Sequence, residues 1–235
     1  MPLPKISTPT YELELPSTVE TIQYRPFLVK EEKALLIAVE SKDQESIIRA
    51  IKEAISACVD EIDVSKLPYF DIEFLFLNLR SKSVGENVTF TYKHKNGVNR
   101  EGKPCDKTTN IELSLDEVKV QRDPKHVDKF MIDSKYGVKM KYPTIDDIKA
   151  LASQVRNEIK LIASCLEYVY DETNIYPPDS LDEAVKYIEN MNAQQYEKLT
   201  HFFETMPKLA HDIHYKCAGC GQEDVVKLEG VSDFF

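Results

Sequence analysis

Cys217-Ala218-Gly219-Cys220-Gly221 is the segment of this chain best equipped for chemistry. Two thiolates separated by two residues can grip one cation from a tight turn, and the glycines supply the backbone freedom that such a turn needs. The runs on either side, Ile213-His214-Tyr215 and Val225-Val226-Lys227-Leu228, read as strands, so the whole has the layout of one half of a zinc ribbon. A structural zinc site takes four ligands, and no second Cys-x-x-Cys occurs in the chain. Two sources are open for the remaining ligands: Cys105 with His94, at the ends of a middle loop, or His211 and His214 just upstream. Cys105 is the preferred third ligand, and the fourth is left open. The alternative is a metal-free knuckle whose turn is held by hydrogen bonds alone. Redox exchange is not expected, because a thioredoxin-like pair opens a helix, whereas here a strand follows.

The other reactive side chains lack an arrangement that would support turnover. Cys58 and Cys165 sit among apolar neighbours at helical spacing and read as small buried hydrophobes. His126 and His201 are isolated, and His201, beside Phe202 and Phe203, reads as a partly exposed helix residue. There is no Walker-type or dinucleotide-binding glycine loop, no nucleophile elbow and no His-Glu-x-x-His. The acidic pairs Asp146-Asp147 and Asp171-Glu172 suit helix starts or solvated faces. The expectation is a protein that is not an enzyme.

Around these residues the chain is long enough, at 235 residues, for one large domain or two small ones. Hydrophobic residues make up 42%, so a core can form. Forty acidic against 30 basic side chains give a formal charge of −10. That field disfavours nucleic acid as the main partner and suits another protein, or a basic patch on one. No apolar run approaches the ~18 residues of a membrane span, and Met1-Pro2-Leu3-Pro4-Lys5 lacks the apolar stretch of a signal peptide. The chain is therefore expected in a cytoplasm, or in a particle assembled there, where its five cysteines stay reduced.

Three regions differ in pattern, and together they predict an α+β fold. Residues 1–85 carry an N-terminal hairpin (alternation over 11–15 and 21–25, with a turn at Pro16-Ser17-Thr18) and helices. The first helix opens at Lys30-Glu31-Glu32, with Leu35, Leu36 and Val39 as its apolar stripe. The second follows Asp43 as N-cap and presents Ile47, Ile48, Ile51, Ile55 and Val59. The third covers Tyr69–Leu79, with Phe70, Phe74 and Leu77 on one face and Ile72, Leu75 and Leu79 on the next, so it should be buried on more than one side. Residues 86–142 are β-rich: strands at 88–92, 111–115 and 137–142 surround a glycine-containing loop at 93–104. Residues 143–235 are helical, then end in the Cys-x-x-Cys hairpin. A helix capped by Thr144 and Asp147 is expected to carry its apolar face as far as Leu166 and Val169. Pro177-Pro178 breaks it, Ser180-Leu181-Asp182-Glu183 starts another, and a last helix runs from Ala193 to Thr205.

Several strings together carry a family likeness: Tyr24-Arg25-Pro26-Phe27-Leu28-Val29-Lys30-Glu31-Glu32-Lys33, the aromatic run from Tyr69-Phe70 to Arg80-Ser81-Lys82-Ser83, Lys141-Tyr142-Pro143-Thr144, and the ending Leu228-Glu229-Gly230-Val231-Ser232-Asp233-Phe234-Phe235 behind Cys-x-x-Cys-Gly. In these the chain resembles the T4-type bacteriophage baseplate protein family, the hub-subunit or hub-assembly group, over nearly its whole length. The resemblance implies a part in building the central hub of a contractile-tail baseplate, as structural subunit or assembly chaperone, with no catalysis. It also implies other hub proteins, and for a tail chaperone the tape-measure protein, as partners. A complete two-knuckle zinc pattern is missing, since Tyr92 stands where a second cysteine would belong. Phe234 and Phe235 are candidate anchors for a partner's pocket. The competing reading is a zinc-ribbon adaptor that regulates transcription machinery. It lacks a basic face, because Lys216 and Lys227 stand against Glu223, Asp224 and Glu229.

Overall fold

A computed structural model describes residues 6–60, 62–93, 105, 107–152 and 158–234. The fold is mixed, with seven α-helices among the described residues and several small antiparallel sheets. Strands β1 (Tyr11–Glu14) and β2 (Thr21–Tyr24) form the expected hairpin, pairing Leu13 with Ile22. Helices α1 (Val29–Ser41) and α2 (Gln44–Cys58) follow. Asp43 caps α2 by accepting from the Ser46 N–H at 3.0 Å.

The apolar stripe expected on α1 is not its buried face. Glu31, Leu35 and Ala38, spaced i, i+4, i+7, point inward, while Leu36 and Val39 are 59% and 58% exposed. The cause is electrostatic. The Glu31 carboxylate accepts from the Leu28 N–H at 2.8 Å and from Arg25 at 3.1 Å, and this network sets the rotation of the helix. Glu31 is held below the usual carboxylate range: burial opposes ionisation, but the bonds from Arg25 and Leu28 outweigh it.

Helix α3 (Tyr69–Val84) is the central element. Its two apolar faces serve different clusters. Ile72, Leu75, Phe76 and Leu79 join Ile22, Ile55 and Ile145 in one, while Phe74 and Leu77 join Ile111, Leu113, Leu209 and Ile213 in another. Burial on both sides is what the wide apolar arc required.

Strands β3 (Asn87–Lys93) and β4 (Thr108–Ser114) form a second hairpin, with Phe90 opposite Ile111. Then come β5 (Lys119–Gln121), β6 (Lys129–Met131) and β7 (Gly137–Met140). Helix α4 (Ile145–Ala152) begins with the predicted box: Thr144 N–H donates to Asp147 at 2.8 Å. Helix α5 (Glu158–Ser164) stops short of expectation, because residues 166–170 are strand β8 (Leu166–Tyr170). Leu166 and Val169 keep helical spacing, but Tyr168-Val169-Tyr170 is a β-favouring run. Pairing of Val169 with Val138 on β7 decides the outcome. Strand β9 (Ile175–Tyr176) completes a sheet of order β6-β7-β8-β9, ahead of α6 (Leu181–Glu189) and α7 (Ala193–Thr205). These elements share a third cluster around Val138, Cys165, Leu199 and Phe202.

The chain ends in β10 (Lys208–Lys216), β11 (Glu223–Glu229) and a 3₁₀ turn, Val231–Phe234. Strand β10 is central in a sheet of order β11-β10-β5, so this hairpin is tied to the middle of the chain through Leu209 opposite Val120.

Candidate metal centre

The Cys-x-x-Cys segment forms the tip of the β10–β11 hairpin, where Lys216 pairs with Glu223. Two backbone bonds close the knuckle: Cys217 N–H to Gln222 O at 2.8 Å and Gly221 N–H to Cys217 O at 2.9 Å. Gly221 has φ +75°, a left-handed conformation that glycine adopts without strain. A third bond crosses to the middle hairpin, where Thr109 Oγ1 on β4 accepts from the Ala218 N–H at 2.9 Å. Gly219 is required by close approach, since a Cβ there would stand 2.5 Å from Lys107 Cβ and 3.1 Å from Cys105 Sγ.

This docking brings Cys105 onto the knuckle from 112 residues away. The Sγ atoms of Cys105 and Cys217 are 3.7 Å apart, and those of Cys105, Cys217 and Cys220 all lie within 4.8 Å of one another. Tetrahedral geometry with Zn–S near 2.3 Å puts sulfurs about 3.8 Å apart. Cys105 and Cys217 therefore stand at the spacing of two thiolates on one ion. The three side chains could hold a metal. The backbone N–H groups of Cys220 and Gly219 point at the Cys217 thiol and pull it down to about 6. The Cys105 thiol moves the other way. The Lys107 N–H lowers it, but burial and the neighbouring sulfurs of Cys217 and Cys220 outweigh that. Negative charge thus collects first on Cys217, in a niche where a cation would stabilise it.

Cys105 joins Cys217 and Cys220 as preferred from the sequence, whereas His94 lies outside the described residues. Among the described residues no histidine or carboxylate completes the cluster. His211 and His214 are placed along β10, opposite Leu228 and Val225. Tyr92, the position without a cysteine, packs its ring against Tyr215 at 5.6 Å between centroids. Thr109 carries no motif and could not have been found from sequence.

Phe234 requires a correction. Its ring is 0% exposed, packed in the cluster of Phe74, Leu77 and Leu209, so it is core and not an anchor presented to a partner. The 3₁₀ turn folds it back, because Gly230 N–H donates to Leu209 O at 2.9 Å and Val231 N–H donates to Glu73 at 3.1 Å. Phe235 lies outside the described residues. Glu73 itself is buried on α3, and burial pushes its carboxyl up to about 7 against the pull of the Val231 N–H. Two acids, Asp71 and Glu73, inside the apolar run Tyr69–Leu79 were the available sequence clue.

Cys58 and Cys165 are buried, and burial raises their thiols to about 11 and about 12, as suits inert core residues. His126 bridges Thr205 Oγ1 at 3.0 Å and Tyr142 Oη at 3.1 Å, tying the end of α7 to the Lys141-Tyr142-Pro143 segment. His201 is exposed on α7, 3.5 Å from Glu204. No helix among the described residues is long and apolar enough to cross a membrane.

A family model described as T4 bacteriophage base plate protein matches residues 8–235. No curated protein and no solved structure matches the chain.

Proposed function

This chain belongs to the T4 bacteriophage base plate protein family, and from that premise we propose that it is a component of the baseplate hub, or a factor that assembles hub and tail, acting by protein–protein contact without catalysis. The observation that carries this reading is the extent of the family match, which takes in the helices, the middle hairpin and the cysteine knuckle together. Surface chemistry supports it. Val29, Leu36, Ile37 and Val39 expose apolar side chains on α1, the kind of surface that protein contacts cover. The charge of −10 keeps such a surface from self-associating. Its partners on this reading are other hub proteins and the tape-measure protein, met in the host cytoplasm during assembly of a contractile tail.

The metal on this reading is zinc in a structural role, held by Cys105, Cys217 and Cys220, with His94 a candidate for the fourth ligand. Zinc would bind the hairpin tip to the segment before β4 and so unite parts of the chain that are distant in sequence. The ion's task is cross-linking, as in other small metal knuckles.

Mass spectrometry of purified particles, together with affinity capture of the tagged chain from infected cells, tests the proposal. A structural subunit appears in the particle. An assembly factor is missing from it but captures hub or tape-measure proteins. A chain found in neither the particle nor such a complex would overturn the proposal.

A further inference from the structure

A groove with a cavity of about 430 Å³ opens between the β8–β9 edge and α6, and none of its lining residues belongs to the cysteine knuckle. Its floor is apolar, formed by Leu166, Val169 and Ala184 of the third cluster. Its walls are the rings of Tyr136, Tyr176 and Tyr187 with Pro177-Pro178. Rigid aromatic rings around an apolar floor are the surface on which binding energy concentrates at protein interfaces.

Two further observations define what would fit. The first is charge. Residues 171–189 carry six carboxylates, Asp171, Glu172, Asp179, Asp182, Glu183 and Glu189, against the single cation Lys186. Asp133 contributes from the opposite side, and after burial it is the largest influence raising the Tyr187 phenol. Two cations oppose them, Lys135 near Tyr136 and Asp171, and Lys198 beside Asp133, so the carboxylates remain in excess. An occupant is therefore drawn in by positive charge. A second copy of this chain, at −10, is disfavoured. The second is backbone chemistry. Strand β9 lies at the edge of its sheet but is followed directly by Pro177 and Pro178, which have no N–H to donate. Strand addition along Pro177-Pro178 finds no N–H donor, which favours an occupant that enters with side chains.

We propose that this groove docks a segment of a partner protein in which one or two large apolar side chains are flanked by lysine or arginine. The apolar anchors fill the space over Ala184 between the tyrosine rings, and the flanking cations lie against the carboxylates of the α6 start. The proposal deepens the protein-contact reading above by naming the chemistry of one partner segment.

The test uses the full chain and three synthetic peptides: Lys-Arg-Lys-Leu-Phe-Lys-Arg-Lys, the same with glutamate at every basic position, and the same with alanine at Leu and Phe. In ¹⁵N-correlated NMR titrations the first peptide is expected to shift the amides of Tyr176, Ala184 and Tyr187, and each control to bind at least tenfold more weakly. Tyr187→Ala and the double variant Asp179→Lys/Asp182→Lys, all at exposed positions with unchanged circular dichroism expected, should each weaken the first peptide at least fivefold. Shifts absent from the groove, equal binding of the acidic peptide, or variants that bind like the parent would overturn the proposal. Such a result would leave the residence of the chain in particles, and hence the baseplate reading, untouched.

Discussion

Burying a carboxylate in an apolar helix is costly unless the residue secures something in return. Glu73 secures the C-terminal turn by accepting from Val231, and its neighbour Asp71 does the same for the β1–β2 turn by accepting from Ser17 N–H and Oγ. Because the folded-state value of Glu73 lies above that of the unfolded chain, the folded protein keeps a proton that the unfolded chain has released. Stability therefore falls as pH rises from 4.5 to about 7. Glu73→Gln keeps an acceptor for Val231 but cannot ionise, whereas Asp71 is common to both proteins. Urea unfolding across that window should show the parent losing roughly 3 kcal/mol relative to Glu73→Gln. The cysteines make a second residue-scale prediction. One equivalent of zinc should raise the melting temperature of the parent. Cys105→Ser should lower zinc affinity at least about tenfold in a chelator competition and reduce the thermal shift. Equal zinc affinity in both proteins would remove Cys105 from the ligand set.

At the scale of elements, the informative cases are those where neighbours overrode local preference. Helix α1 has more than one apolar face to choose from, and the Arg25–Glu31–Leu28 network chooses the one that leaves Leu36 and Val39 in water. Residues 166–170 continue a helical spacing yet form β8, because β7 offers a row of partners. That pairing depends on Gly137, where a Cβ would stand 2.2 Å from the Tyr170 ring. Gly137→Ala should cost about 1–3 kcal/mol of stability by overpacking. The loss should shrink in a Tyr170→Ala background, since the two changes touch one contact. Thermal melts of the four proteins in the cycle measure this, and full additivity would show that the ring is not what the glycine accommodates.

For the whole molecule, α3 joins the first two clusters, and the third is built from the elements between β6 and α7. The C-terminal hairpin returns to the middle of the chain through β5 and Cys105, so the knuckle, the middle hairpin and α3 form one packed unit. Net charge acts at this scale too. With −10 on the chain, encounter with a cationic partner should be steered electrostatically. The association rate for the basic peptide is expected to fall about tenfold between roughly 0.05 and 0.5 M salt, as the screening length contracts. A rate independent of salt would mean that apolar contact alone governs encounter.

The amino-acid sequence by itself determined the features that local physics governs. The hairpin at Tyr11–Tyr24, the Asp43 and Thr144 caps, the wide apolar arc of α3 and the strand–knuckle–strand form around Cys217 each depend on residues within a few positions of one another. Membership of the baseplate family was legible in the same way, from strings of adjacent residues. Tertiary structure alone decided which face of α1 is buried, that Leu166–Tyr170 is a strand, that Phe234 turns inward, and that Thr109 steadies the knuckle. It also brought Cys105 to within 3.7 Å of Cys217, a meeting that sequence could only nominate among alternatives. The reason is common to all of these. Each is a competition between conformations of similar local energy, decided by contacts with residues tens of positions away, and spacing along the chain carries no record of those contacts.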